Sequence, residues 1–153
     1  MLPSTATRVP GSTAEEVNRE IEQRTIEKLR LLAECPQMID ERLRELDAEW
    51  DIERMLEANA SALILIGLAK SRQSWAWLLV PVVVAGFLLM HALQGWCPPL
   101  PVFRRLGIRT RREIDNERTV LKLLRGDFDE MIGDNRPDIA EMLQTVKLPE
   151  HEE

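Results

Sequence analysis

Cys97 is the side chain best placed to do chemistry. It follows Trp96, precedes Pro98, and has Arg104 and Arg105 seven and eight residues on. Positive neighbours lower a thiol pKa and raise the reactive thiolate fraction. Partial burial under Trp96 acts the other way, because desolvation disfavours the anion. A reactive Cys97 would accept or relay sulfur or oxidant, or ligate a haem. The alternative is a small residue packed under the indole. Cys35-Pro36 repeats the dipeptide with less context, and the two cysteines are too few for a disulfide framework.

Other polar candidates flank two apolar runs. His91 and Gln94 fall in the last turn of one, and Glu57 and Asn59 open the other. Ionisable groups within a membrane segment are functional candidates by default. Contact between the helices, such as His91 with Asn59 or Ser61, is the plainer expectation. No Cys or His stands at metal spacing beside either cysteine, so no metal site and no cofactor is expected. There is no glycine-rich phosphate loop, no credible pair of catalytic carboxylates and no Ser–His–Asp set. A net charge of -6 and a pI near 5.1 argue against nucleic-acid binding. The chain therefore does not read as an enzyme.

The elements that must position these residues begin with a gap in the charge. Ser74 to Phe103 is 30 residues without Lys, Arg, Asp or Glu. Within it Trp75 to Trp96 is 22 residues, about 33 Å as a helix, which matches a hydrocarbon core. Trp75 and Trp77 mark one end and Trp96 the other, at headgroup level. Pro81 is expected to bend this helix near its outer end. Ala58 to Ala69 is also uncharged but only 12 residues long. Extended back to Met55 it is read as a second span, with Lys70 to Ser74 as the hairpin turn. An amphipathic helix on the membrane surface is the alternative.

The fold class expected is all-α: a two-helix transmembrane hairpin with cytoplasmic N- and C-terminal helical arms. Arg104, Arg105, Arg109, Arg111 and Arg112 form a run without acids, which places that end in the cytoplasm and against lipid headgroups. The expected divisions are a disordered leader (1–14), a helical arm (15–54), the hairpin (55–97, spans about 55–69 and 75–96), a basic juxtamembrane segment and helix (98–126), and an acidic tail with short helices (127–153). Met1 to Gly11 lacks the apolar core of a signal peptide.

Regional net charge follows the same divisions: -6 over 1–57, +2 over 58–97, +5 over 98–126 and -7 over 127–153. In the first arm Ser12 or Thr13 is expected to cap a helix. Ile39, Leu43, Leu46 and Trp50 form a stripe at spacings 4, 3, 4, suited to self-association or to pairing with the preceding helix. The helix that carries this stripe is expected to run from Pro36 into the first span. Thr110 with Glu113 is a capping box for a helix ended by Gly126. Asp127 with Glu130 is a second box, and Pro137 opens a last helix carrying Ile139, Met142, Leu143 and Val146.

Gly95-Trp96-Cys97-Pro98, after an apolar helix and before Arg105-Leu106-Gly107-Ile108-Arg109-Thr110, resembles the YgaP-like inner-membrane domain. Asp51-Ile52-Glu53-Arg54 resembles that family's charged entry to its first helix, and the similarity covers about residues 51–112. The resemblance implies a bacterial two-helix hairpin, dimerisation, and a link to sulfur or redox physiology. Pro98-Pro99-Leu100-Pro101 is longer than the family's usual turn. The arms replace the sulfurtransferase domain that some members carry, so catalytic sulfur transfer is not carried over.

The function expected is a small, non-enzymatic, multi-pass protein of the bacterial inner membrane. It would act as a membrane-anchored scaffold or accessory subunit, with the bilayer, a second copy and a membrane or sulfur/redox protein as partners. A thiol relay or sensor using Cys97 is the second reading, and a small oligomeric transporter the third.

Overall fold

The computed structural model describes residues 7–128 and 138–146, and those residues are all-α, with no strand. They fall into two compact units. The hairpin unit holds residues up to Asn18 and Trp50–Thr110; the helical unit holds Arg19–Glu49 and the residues from Arg111 on. The expected Asp127–Glu130 capping box, the Pro137 helix start, the first six residues of the leader and the tail from Pro149 lie outside the described residues.

The hairpin unit contains α1 (Arg8–Gly11), α4 (Ile52–Lys70), α5 (Leu79–Gln94) and α6 (Leu100–Arg105). The first turn of α2 (Glu15–Glu34) also belongs to it. Asp51 is extended, and its Oδ1 accepts the Arg54 N–H at 2.8 Å, capping α4. The Ile52 N–H is bonded to the Arg109 carbonyl at 2.8 Å. These two bonds end the idea of one helix running from Pro36 to Ala69. The chain stops being helical at Ala48, passes through extended Glu49, and restarts at Ile52. An Asp side chain competes for backbone donors and so favours a new start over a helix interior.

Pro81 lies at the start of α5. A 3-10 turn, Trp75–Leu78, precedes the helix, so Pro81 is the third residue of α5, where its N–H would have no partner in any case. Gly95 (φ 79°) and Gly107 (φ 83°) end α5 and α6 in the left-handed region that glycine enters without penalty.

The leader expected to be disordered is folded where it is described. Val9 is buried with Ile52, Leu56, Cys97 and Leu100. Pro10 suits a single helical turn, and Ser12 and Thr13 hydroxyls serve this docking rather than a cap on α2: Thr13 Oγ1 donates to the Val9 carbonyl at 2.8 Å and Ser12 Oγ to that of Gln94 at 3.2 Å.

The helical unit contains the rest of α2, α3 (Ile39–Ala48), α7 (Arg111–Arg125) and α8 (Ile139–Val146). Its core is Leu29, Ile39, Leu46, Ile114, Val120, Leu121, Met142 and Leu143, with Leu43 packed against it. The stripe expected to mediate self-association is therefore consumed inside the chain. Ile39 is 1% and Leu46 2% exposed, while Trp50, beyond the end of α3, is outside this core and carries Arg54 over its ring at 4.6 Å. A three-residue 3-10 turn at Pro36–Met38 lets α3 start in a new direction, so its apolar face finds α7.

Glu117 sits in the middle of the Ile114–Leu121 face of α7 and is fully buried. Arg42 of α3 satisfies it with two bonds, Nε to Oε1 at 2.8 Å and Nη2 to Oε2 at 3.3 Å. Arg118 with Asp47 (2.8 Å) adds a more exposed pair between the same helices.

Candidate membrane hairpin and its polar base

α4 and α5 lie antiparallel across the turn 71–74. Near the turn, a Cβ on Gly67 would meet Pro81 Cδ at 2.7 Å and Val80 Cβ at 3.1 Å. At the other end, Glu53 and Glu57 of α4 act electrostatically on His91 of α5. At Gly67, therefore, no larger residue fits without displacement. Lys70 places its ammonium 4.9 Å over the Trp77 ring at the tip.

One helix among the described residues is long and apolar enough to cross a membrane: Trp75–Gln94, 20 residues, or about 30 Å. Only 6% of its most apolar stretch is buried inside the chain. The expected second span is corrected here. α4 carries Glu53, Arg54 and Glu57 within its first six residues, which leaves 12 uncharged residues, about 18 Å, against a hydrocarbon core of about 30 Å. The outer half of α4 is nonetheless apolar and exposed: Leu63, Leu65, Ile66 and Leu68 all face outward, Leu65 at 67%.

The expected interface anchors Trp75, Trp77 and Trp96 are exposed at 77%, 37% and 41%, at the two ends of the apolar helix. Glu57, Asn59 and Gln94 are exposed, so neither Asn59 nor Ser61 bonds His91. Both ring nitrogens of His91 are buried without a hydrogen-bond partner. Arg8 Nε and Glu53 Oε2 are buried and unpartnered too, and both residues act electrostatically on His91. Arg8 is fixed by its Nη1 bond to the Ala92 carbonyl at 2.9 Å, and its own carbonyl stands where a Cβ on Gly95 would go. The base of the hairpin is therefore a packed joint of α1, α4 and α5 with charged groups inside it. Arg8 interrupts no apolar pattern and so carries no signal in the residues, while Glu53 is marked only as part of the charged Asp51–Arg54 entry to α4.

Cys97 is 4% exposed and packed with Val9, Ile52, Leu56 and Leu100. Burial pushes its thiol up, and a hydrogen bond involving the Leu100 backbone offsets this only in part; neither Arg104 nor Arg105 contributes. Burial and a raised pKa both disfavour the thiolate that a nucleophilic role needs.

The arginine run divides. Arg104 is 1% exposed and donates to Asn18 Oδ1 at 2.9 Å and to the Ile108 carbonyl at 3.1 Å. Arg109 is 7% exposed. These two hold the unit together and do not face headgroups. Arg105 is exposed, Arg112 is half-buried, and Arg111 is exposed but paired with Asp115 at 3.2 Å. A run of like charges in a sequence does not say which members point inward.

Among the described residues no group of three His, Cys, Asp or Glu side chains is placed to hold a metal ion. No family model, no curated protein and no solved structure matches this chain.

Proposed function

We propose that the protein is a non-enzymatic, membrane-anchored scaffold or accessory subunit. Its α4–α5 hairpin enters the bilayer and its helical unit, with both chain ends, stays in the cytoplasm. One observation carries this reading. The apolar helix Trp75–Gln94 buries almost none of its surface inside the chain. A large exposed apolar surface marks a membrane or partner contact. Indoles at both ends, and Lys70 and Arg72 at the tip where they can snorkel, support lipid as that contact.

Self-association belongs to this reading through the hairpin alone, since the Ile39–Leu46 face is already covered. Ala58 and Ala62 of α4 are exposed one turn apart, a spacing that lets membrane helices approach closely. The buried, raised-pKa Cys97 gives the thiol-relay reading no support.

The test is topology. Reporter fusions after residue 50 and after residue 126 should both report the cytoplasm. Opposite compartments would mean that Trp75–Gln94 alone carries the chain across the membrane, without α4 beside it in the bilayer, and the hairpin reading would fall.

A further inference from the structure

α6 is a six-residue helix with two unlike faces. Leu100 and Arg104 are fully buried, and Phe103 is packed on the core of Val9, Ile52, Leu56 and Cys97. On the other side Val102, Arg105 and Leu106, at helical spacing i, i+3, i+4, are all exposed, Val102 at 57% and Leu106 at 70%. The helix is fixed by Gly107, which closes it with an Ile108 N–H bond to the Phe103 carbonyl at 3.1 Å. So two large apolar side chains and one cation are held outward by a rigid, well-buried base.

We propose that this face is an interfacial foot that rests on the cytoplasmic leaflet, with Val102 and Leu106 entering the headgroup–acyl boundary and Arg105 on the phosphates of anionic lipids. The inference rests on the membrane reading of the hairpin and adds a second, shallow contact to it. Continuity supports a lipid occupant. The chain leaves the apolar helix at Gly95, presents the exposed indole of Trp96, and reaches Val102 six residues later. Charge supports it as well: Arg105 is exposed, and no acid lies between Cys97 and Thr110. An amphipathic face with Arg beside aliphatic side chains is the composition that lies in the interface plane.

The experiment uses the full chain, with Cys35→Ser and Cys97→Ala, in vesicles of phosphatidylcholine with or without phosphatidylglycerol. A nitroxide is placed at Leu106→Cys or, as a reference, at Val83→Cys in the apolar helix. Accessibility to oxygen, which partitions into lipid, is compared with that to a water-soluble nickel chelate. The expected result is a deep label at 83 and a shallow, lipid-contacting label at 106. The label at 106 should sink further with phosphatidylglycerol, and Arg105→Gln should remove that dependence. A label at 106 in water with the label at 83 in lipid overturns the foot and leaves the hairpin reading standing. Labels in water at both sites overturn the reading beneath it. A depth at 106 that ignores phosphatidylglycerol overturns the assignment to anionic lipid.

Discussion

The two units solve burial in opposite ways. Of the 19 large hydrophobic side chains exposed among the described residues, 17 are in the hairpin unit; the helical unit exposes only Leu31 and Met38. The helical unit buries one carboxylate, Glu117, and satisfies it with Arg42. The hairpin unit bonds its buried Arg104 to Asn18 and Ile108, but leaves both ring nitrogens of the buried His91, and single buried atoms of the half-buried Arg8 and Glu53, unpartnered. A water-facing domain hides its apolar surface and pairs its buried charges. The hairpin unit instead exposes most of its large apolar side chains, a surface that marks a membrane or partner contact.

The largest effect expected is in the helical unit. Arg42→Met removes both of its bonds to the fully buried Glu117, which should cost about 3–5 kcal/mol. Adding Glu117→Leu should restore most of it, because an apolar pair of similar size is often neutral or better. Denaturant melts followed by circular dichroism check both. A single variant as stable as wild type would mean that Glu117 is hydrated and the contrast between the units overstated.

Leu121→Ala, fully buried in the same unit, should cost about 2–5 kcal/mol. Leu65→Ala in the hairpin unit, 67% exposed, should leave the melt within about 0.5 kcal/mol. Equal losses would erase the comparison. Gly95→Ala falls between: a left-handed alanine costs about 1–2 kcal/mol, and its Cβ meets the Arg8 carbonyl. It should release the N-terminal segment, seen as faster protease cleavage at Arg8.

Part of this contrast was legible in the residues. Thirty uncharged positions announce the apolar helix, and Thr110, Glu113 and Gly126 bracket α7. Other features were not legible, for physical reasons. The stripe Ile39–Leu46 states that a face is apolar but not which helix covers it. Asp51 reads equally as a surface charge or a cap until the Arg54 N–H supplies its partner. Val9, between prolines and polar residues, has the composition of a tail, and only its contact with Ile52 and Leu100 makes it core. Glu117 breaks an apolar stripe, and that break is the signal that could have found the Arg42 pair.

The smallest effect sharpens the outer edge of the helical unit. Arg125 hydrogen-bonds Asp127 and holds its carboxyl below the usual carboxylate range. A depressed folded-state pKa contributes stability above the unfolded value, here about 3.8, and loses it as pH falls through the folded value. Arg125→Gln should therefore flatten the melt's acid-side dependence below about pH 4 slightly, through a small loss of stability at neutral pH that vanishes in acid. A pH profile identical to wild type would show that the pair is solvated.

The central claim is that the exposed apolar surface of the hairpin unit faces lipid. Alkaline carbonate extraction of membranes from cells making the full chain tests it most directly. The account predicts that the protein stays in the membrane pellet, and that Val83→Asp with Phe87→Asp shifts it toward the supernatant. Wild-type protein released quantitatively as a soluble species would contradict it.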